Sequence, residues 1–323
     1  AEQKKIYFLS GHGEQRPDDV DPARGLSLLS DELRRRNFDV ELLDLAVTKK
    51  IPDDAALLIA SGPQGPFDPF EQELLRQFLA RRAGRFILLI DPARVTGLDD
   101  LLADWGIIDD DDLVCDTGAQ NITDDGDLIL WAYSPHPVTQ TLINNNLRLR
   151  LGPARTVRAD PRHALGEGLT VTVLAATSPT AWGERGYRLR ELPTYDPGVD
   201  LKGTPQTQNR LGVVVASERV GARGVNGETL PFSVRGGRLI VCGTSEFATN
   251  NRITNPGNQN FILAAINWAT DRDTSLVIPA RPIERYQLSL SRLDLAKLRL
   301  GLLLLPPAVA AVLGLLVYWT RRR

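Results

Sequence analysis

The sequence predicts an α/β fold: a doubly wound, mostly parallel sheet with a β-rich insertion and one transmembrane helix at the C-terminus. Three observations carry this. Short, nearly continuous apolar runs alternate with amphipathic stretches through residues 1–116, the pattern of strands buried on both faces. That rhythm lapses over 117–236, where Gly, Pro, Asp, Asn and Thr dominate, and returns over 237–278. From Leu300 to Thr320 no charged residue occurs.

The elements follow in order. Lys5–Ser10 reads as a buried strand ending in a tight turn at Gly11-His12-Gly13-Glu14. Leu26–Phe38 fits a helix, with Leu26, Leu29 and Leu33 on one face and Arg34, Arg35 and Arg36 mostly solvated. Val40–Leu45 and Ala56–Ala60 read as strands, the latter closed by Ser61-Gly62-Pro63. A helix over Asp68–Arg82 presents Phe70, Leu74, Leu75, Phe78 and Leu79 as its apolar face. Arg85–Ile90 is a further strand ending at Asp91-Pro92, and a helix over Leu98–Trp105 stops at Gly106. In the insertion, Leu169–Ala176 and Leu211–Ala216 are β-like. Arg238–Gly243 is expected to rejoin the first sheet, followed by a helix over Asn258–Thr270. Residues 279–299 are read as a stalk, extended over Pro279–Leu290, residues 300–320 as the membrane helix and 321–323 as a basic tail.

At 1.5 Å per residue the uncharged run matches a hydrocarbon core of about 30 Å. Tyr318 and Trp319 stand where aromatic rings favour the interface. Pro306 and Pro307 are read as a kink or as the start of the helix. Arg321–Arg323 form a typical cytoplasmic stop, but Arg285, Arg292, Lys297 and Arg299 stand on the other side, so charge counting alone leaves the topology open. The chain has no methionine and enters a strand almost at once. It reads as processed or cut, and the missing part could have held a signal peptide or another membrane helix.

Composition narrows function. Of 323 residues, 42% are hydrophobic and 24% charged, ordinary values for a chain with a proper core. A net charge of -2 and the lack of a basic-aromatic stripe argue against a nucleic-acid partner. Cys115 and Cys242 lie in or beside apolar runs and read as buried free thiols. No phosphate loop and no Gly-x-Gly-x-x-Gly occur, so the chain is not expected to be an ATPase itself, and no cofactor is expected.

In a doubly wound sheet, ligands gather at the carboxyl ends of the strands. Those ends carry Ser10–Glu14, Ser61–Pro63 and Asp91-Pro92. His12 and Glu14 could act as acid and base or bind a metal; the simpler reading is a turn in which they satisfy loop amides. Ser245 stands at a strand end, but Gly-Thr-Ser-Glu-Phe is not Gly-x-Ser-x-Gly. No ligand spacing supports a metal site built from His12, His136 and acidic residues, and no metal is expected. The remaining histidine is His163, and Asp109–Asp112 is read as a solvated turn.

Several motifs occur in a telling order: Gly11-His12-Gly13-Glu14, Gly62-Pro63, Ile90-Asp91-Pro92, Ser178-Pro179-Thr180-Ala181-Trp182-Gly183-Glu184, Gly243–Asn250, Gly257-Asn258 and Asn267-Trp268, then the apolar helix and arginine tail. In this the chain resembles the auxiliary component of gliding-motility-type ABC transporters. The resemblance covers nearly the whole sequence. It implies a class I glutamine-amidotransferase-like fold without the cysteine nucleophile. It also implies a domain outside the cytoplasm, anchored in the bacterial inner membrane and working with a separate permease and ATPase. Family members usually carry a further N-terminal membrane helix and domain, which this sequence lacks.

The leading expectation is therefore a non-enzymatic, single-pass membrane subunit with no catalytic residues. Its rim, built from His12, Glu14, Ser61, Asp91, Trp182, Glu184, Glu246 and Asn250, would bind a ligand or partner. Trp182 could stack on a sugar or peptide, or simply pack. The alternative is a membrane-anchored hydrolase acting on an envelope polymer, with His12 and Glu14 or Glu246 as acid and base. A pure structural anchor is the third reading.

Overall fold

A computed structural model describes residues 3–162, 168–189, 193–219, 236–271 and 292–321. His163 and the expected stalk over Pro279–Leu290 lie outside the described residues.

The first part of the chain runs β1 (Lys4–Ser10), α1 (Ser27–Arg35), β2 (Phe38–Asp44), α2 (Leu45–Thr48), β3 (Ala55–Ser61), α3 (Pro69–Arg81), β4 (Arg85–Leu89) and α4 (Asp99–Asp104). The middle adds β5 (Ile107–Asp109), β6 (Leu113–Cys115), β7 (Leu128–Leu130), β8 (Ala132–Tyr133), α5 (Gln140–Asn144), β9 (Leu149–Leu151) and β10 (Val157–Ala159). β11 (Leu169–Ala176), β12 (Trp182–Glu184) and β13 (Gly212–Arg219) come next, then β14 (Arg238–Cys242), α6 (Pro256–Ala269) and α7 (Arg292–Arg321).

The central sheet has eight strands in the order β2-β1-β3-β4-β14-β13-β11-β8. The first five are parallel neighbours and the last three join antiparallel. Successive side chains of a strand point to opposite faces, and each face is covered. On one, Leu29 and Leu33 of α1 and Phe261, Ile262 and Ile266 of α6 join Ile6, Phe8, Ile59 and Ile87. On the other, Leu75, Phe78 and Leu79 of α3 and Leu101 and Leu102 of α4 join Tyr7, Leu9, Leu58 and Leu88. The connection after β1 therefore leaves to one face and that after β3 to the other, which makes the β1/β3 boundary the switch point of the sheet.

Three features differ from the sequence reading. α1 ends at Arg35 because Asn37 takes a left-handed φ of 62°, which turns the chain into β2 at Phe38. Residues 117–236, read as an irregular β-containing insertion, supply β8, β11 and β13 to the main sheet itself. Their Gly, Pro and Asp residues belong mostly to connecting loops, whereas β13 is a buried Val-rich run that pairs with β14. α7 starts at Arg292 and continues through Pro306 and Pro307, so the prolines do not mark its beginning. Leu, Ala, Lys and Arg, good helix formers, make up most of Leu293–Leu305 and carry the helix to them.

α6 returns the chain to the amino ends of the parallel strands. There the Lys4 ammonium donates to the Thr270 carbonyl, and Asp271 pairs with Arg85 of β4 at 3.1 Å and Arg238 of β14 at 2.6 Å. The start of α6 is tied down by Asn258, which is fully buried. Its Oδ1 accepts the Arg150 N–H at 2.9 Å, and its Nδ2 donates towards the carbonyls of Arg150, Arg252 and Phe247. Asn258→Ala strands several buried backbone groups and should lower unfolding free energy by about 3 kcal/mol. Denaturant titration checks this; a loss below about 1 kcal/mol would show that solvent replaces these bonds freely.

Candidate functional site

Parallel strands align their carboxyl ends, so the segments after β1, β3, β4 and β14 share one rim. His12, Glu14, Ser61, Asp91, Glu246 and Asn250 all lie on those segments. They form separate local groups rather than one constellation.

The most deeply built group sits at the β1/β3 switch point. Gly11 and Gly13 hold φ angles of +123° and +78°, conformations open to glycine, and between them the chain directs His12 inward. The His12 Nδ1 lies 3.2 Å from Glu14 Oε1, and Nε2 lies 2.9 Å from Oε2 of Glu71 on α3. The His12 backbone N–H also donates to Glu14 Oε2 at 2.7 Å. Glu71 Oε2 accepts the Asp68 N–H at 2.9 Å, the bond expected where an acidic residue closes the first turn of a helix. The Phe67 ring packs on the imidazole with centroids 4.4 Å apart. Gln64 links the two loops: its N–H donates to the His12 carbonyl and its side chain to the Gly62 carbonyl.

Next along the rim, Ser61 Oγ donates to Gln15 Oε1 at 2.8 Å, and the Gln15 N–H returns to the Ser61 carbonyl at 2.7 Å. Asp91 accepts both the N–H and the hydroxyl of Ser245, at 2.7 and 2.9 Å. Burial raises the Asp91 carboxyl above its ordinary range, and these two bonds partly offset that. Asn250 is a tie: Oδ1 accepts the Leu28 N–H at the start of α1, and Nδ2 donates to the carbonyls of Asp19 and Asp21. Glu246 pairs with Arg252 at 3.0 Å, and Arg252 also bonds Asp127.

Trp182 and Glu184 are held apart from the switch point, in a two-stranded cap made by β12 and β6. Both are buried. The Trp182 indole N–H donates to Glu184 Oε2 at 3.1 Å, and its ring meets Tyr195 edge-on. His136 and His12 are not brought together; the His136 Nδ1 accepts the Val138 N–H and its ring packs edge-on against Trp268. Among the described residues, no group of three or more His, Cys, Asp or Glu is placed to hold a metal ion. Cys115 and Cys242 are free and buried, and burial pushes both thiols up to about 12.

Two parts of the arrangement were not read from the sequence. Glu71, Gln64 and Phe67 complete the switch-point group and Gln15 the Ser61 pair, and the only local signal was the Asp68-x-x-Glu71 spacing of a helix start. The Asp109–Asp112 run is also not a solvated turn. Asp110 and Asp112 are buried, with Arg158 on Asp110 at 2.6 Å and Arg155 beside Asp109 at 3.5 Å. Arg155, itself buried, also donates to the carbonyls of Asp110 and Arg94, joining this cap to the loop after β4.

These pieces define an α/β domain with polar loop groups along one rim, joined in sequence to a long apolar helix. A family model described as ABC-type uncharacterized transport system matches residues 3–267, and the chain belongs to that family, the auxiliary component of such systems. No curated protein matches the chain. Among solved structures, an mmIFT52 N-terminal domain aligns over 84% of this chain and 100% of its own, with 14% identity and a TM-score of 0.57, a likeness of fold alone. A ThuA-like protein from Bacteroides uniformis aligns over 84% of this chain and 93% of its own, with 11% identity and a TM-score of 0.45.

Burial, only partly offset by the Thr156 backbone N–H, pushes the Asp112 carboxyl up to about 6; burial against the opposing Arg155 charge does the same for Asp109. An unfolded Asp ionises near 4. Between about pH 4 and 6 the native state therefore keeps protons the unfolded chain has released, and stability falls as pH rises through that window. Replacing Asp112 with Asn removes its share. The variant should gain about 2 kcal/mol relative to the parent between pH 4.5 and 7, read from unfolding at each pH. A pH-independent difference would contradict this.

Proposed function

We propose that this chain is a non-enzymatic, membrane-anchored auxiliary subunit of an ABC-type transport system. In this reading α7 crosses the bacterial inner membrane once through residues 300–320, with Arg321–Arg323 cytoplasmic and the globular domain outside. A separate permease and ATPase are its partners, and the strand-end rim binds a ligand or partner. The fold is then an amidotransferase-like one that lacks the cysteine nucleophile.

One observation carries the reading: a domain of this family is joined to a helix whose span, Leu293–Trp319, is long and apolar enough to cross a bilayer and has no buried residue in its apolar window. The polar groups add support. Each carboxylate of the rim is engaged locally, Glu14 and Glu71 with His12, Asp91 with Ser245 and Glu246 with Arg252. The Ser245 side chain is buried, which disfavours it as a nucleophile. The chain also leaves the domain at the amino ends of the parallel strands, beside Lys4 and Thr270, opposite the rim.

Two measurements test this. The chain should stay in the membrane pellet through alkaline carbonate extraction, and removing residues 292–323 should release it; release of the intact chain would overturn the anchoring. Affinity purification from membranes with mass spectrometry should recover an ABC permease and an ATPase. Their consistent absence would defeat the partnership.

A further inference from the structure

The Glu14–His12–Glu71 group holds more acceptor capacity than its own residues satisfy. The two carboxylate side chains are 0% and 1% exposed, and each faces one ring nitrogen of His12. Both contacts call for a hydrogen between the atoms, yet a neutral imidazole carries only one N–H. A charged ring fills both contacts with one positive charge against two negative ones. Glu71 Oε1 is left buried with no hydrogen-bond partner. His12 offers Glu71 one nitrogen, and Oε2 already takes it together with the Asp68 N–H.

A buried carboxylate oxygen without a donor is costly, and its chemistry states what would complete it. An ammonium has three N–H donors and a guanidinium five, enough to reach both oxygens of Glu71 as well as Glu14. The Phe67 ring against the imidazole supplies an aromatic surface of the kind that attracts organic cations. Two carboxylates beside an aromatic ring suit a polyatomic cation with N–H donors. Gly11 and Gly13, at positive φ on either side of His12, give the backbone the freedom to carry the ring out.

We propose that His12 is the built-in occupant of an organic-cation seat: when its ring leaves the switch point, Glu14 and Glu71 bind an ammonium or guanidinium group of a ligand. This deepens the ligand-binding reading of the rim and rests on it. The site is closed in the structure by its own imidazole, and a ligand competes with that ring for the same two carboxylates.

The test uses the full chain in detergent micelles. His12→Gly removes the ring from between the two carboxylates and should lower the melting temperature by roughly 10 °C. Methylammonium chloride should recover most of that loss. Tetramethylammonium chloride at the same concentration should recover far less, because it has no N–H to donate to the carboxylates. Adding Glu71→Gln should abolish the recovery. Equal effects of the two salts would overturn the proposal. If His12→Gly fails to fold, the unaltered chain is titrated with each salt while the His12 ring nitrogens are followed by NMR. A shift specific to methylammonium supports the seat, and identical spectra overturn it. Failure here leaves recovery of permease and ATPase untouched, so the two readings fall separately.

Discussion

One buried contact organises the strand-end rim of this protein: the His12 ring held between Glu14 and Glu71. It stands where the chain after β1 and the chain after β3 part to opposite faces of the sheet, the place where an open α/β sheet naturally leaves a crevice. Two carboxyl groups buried together repel unless a cation or a shared proton lies between them, so removing the ring would leave both poorly solvated and without their partner. The contact joins the loop after β1 to the first turn of α3, and Gln64 doubles the connection through backbone carbonyls. The rim keeps its shape because these loops are bonded to each other as well as to the strands beneath them.

The rest of the molecule repeats this strategy with neutral and charged ties. Asn250 holds the loop before α1, and Asn258 holds the start of α6 to the segment around Arg150. Asp91 receives Ser245, and Asp271 bridges Arg85 and Arg238 where the chain leaves the domain. Each is a long-range bond between loops or element ends, where backbone groups lack ladder partners. Apolar burial on the two faces builds the sheet, and polar ties set where its loops stand.

Legibility in the sequence divides along the same line. The strands β1, β3, β4 and β14 were readable because burial on both faces makes them continuous apolar runs. α3 was readable from its apolar spacing. Placement of the rim followed from parallel topology alone. What stayed hidden was long-range: nothing near Glu71 announces that it meets His12, and nothing in Asp109–Asp112 announces Arg155 and Arg158. A run of four aspartates reads as solvated because burying it requires cations that only the folded chain brings. Trp182 was hard for the converse reason: an indole beside a glutamate fits a binding surface and a packed cap equally, and the pairing of β12 with β6 is not visible in either strand.

In this account the domain is a rigid platform whose strand-end rim is sealed by its own histidine, carried on a family scaffold joined to an apolar helix. The seal is its central claim, and a double-mutant cycle measures it most directly. Unfolding free energies of the parent, His12→Gln, Glu71→Gln and the double variant isolate the interaction between the two side chains. A coupling energy of about 2 kcal/mol or more is expected for a buried, charge-assisted contact of this geometry. A value near zero would mean that His12 and Glu71 are neighbours without being partners, and the sealed switch point would have to be abandoned.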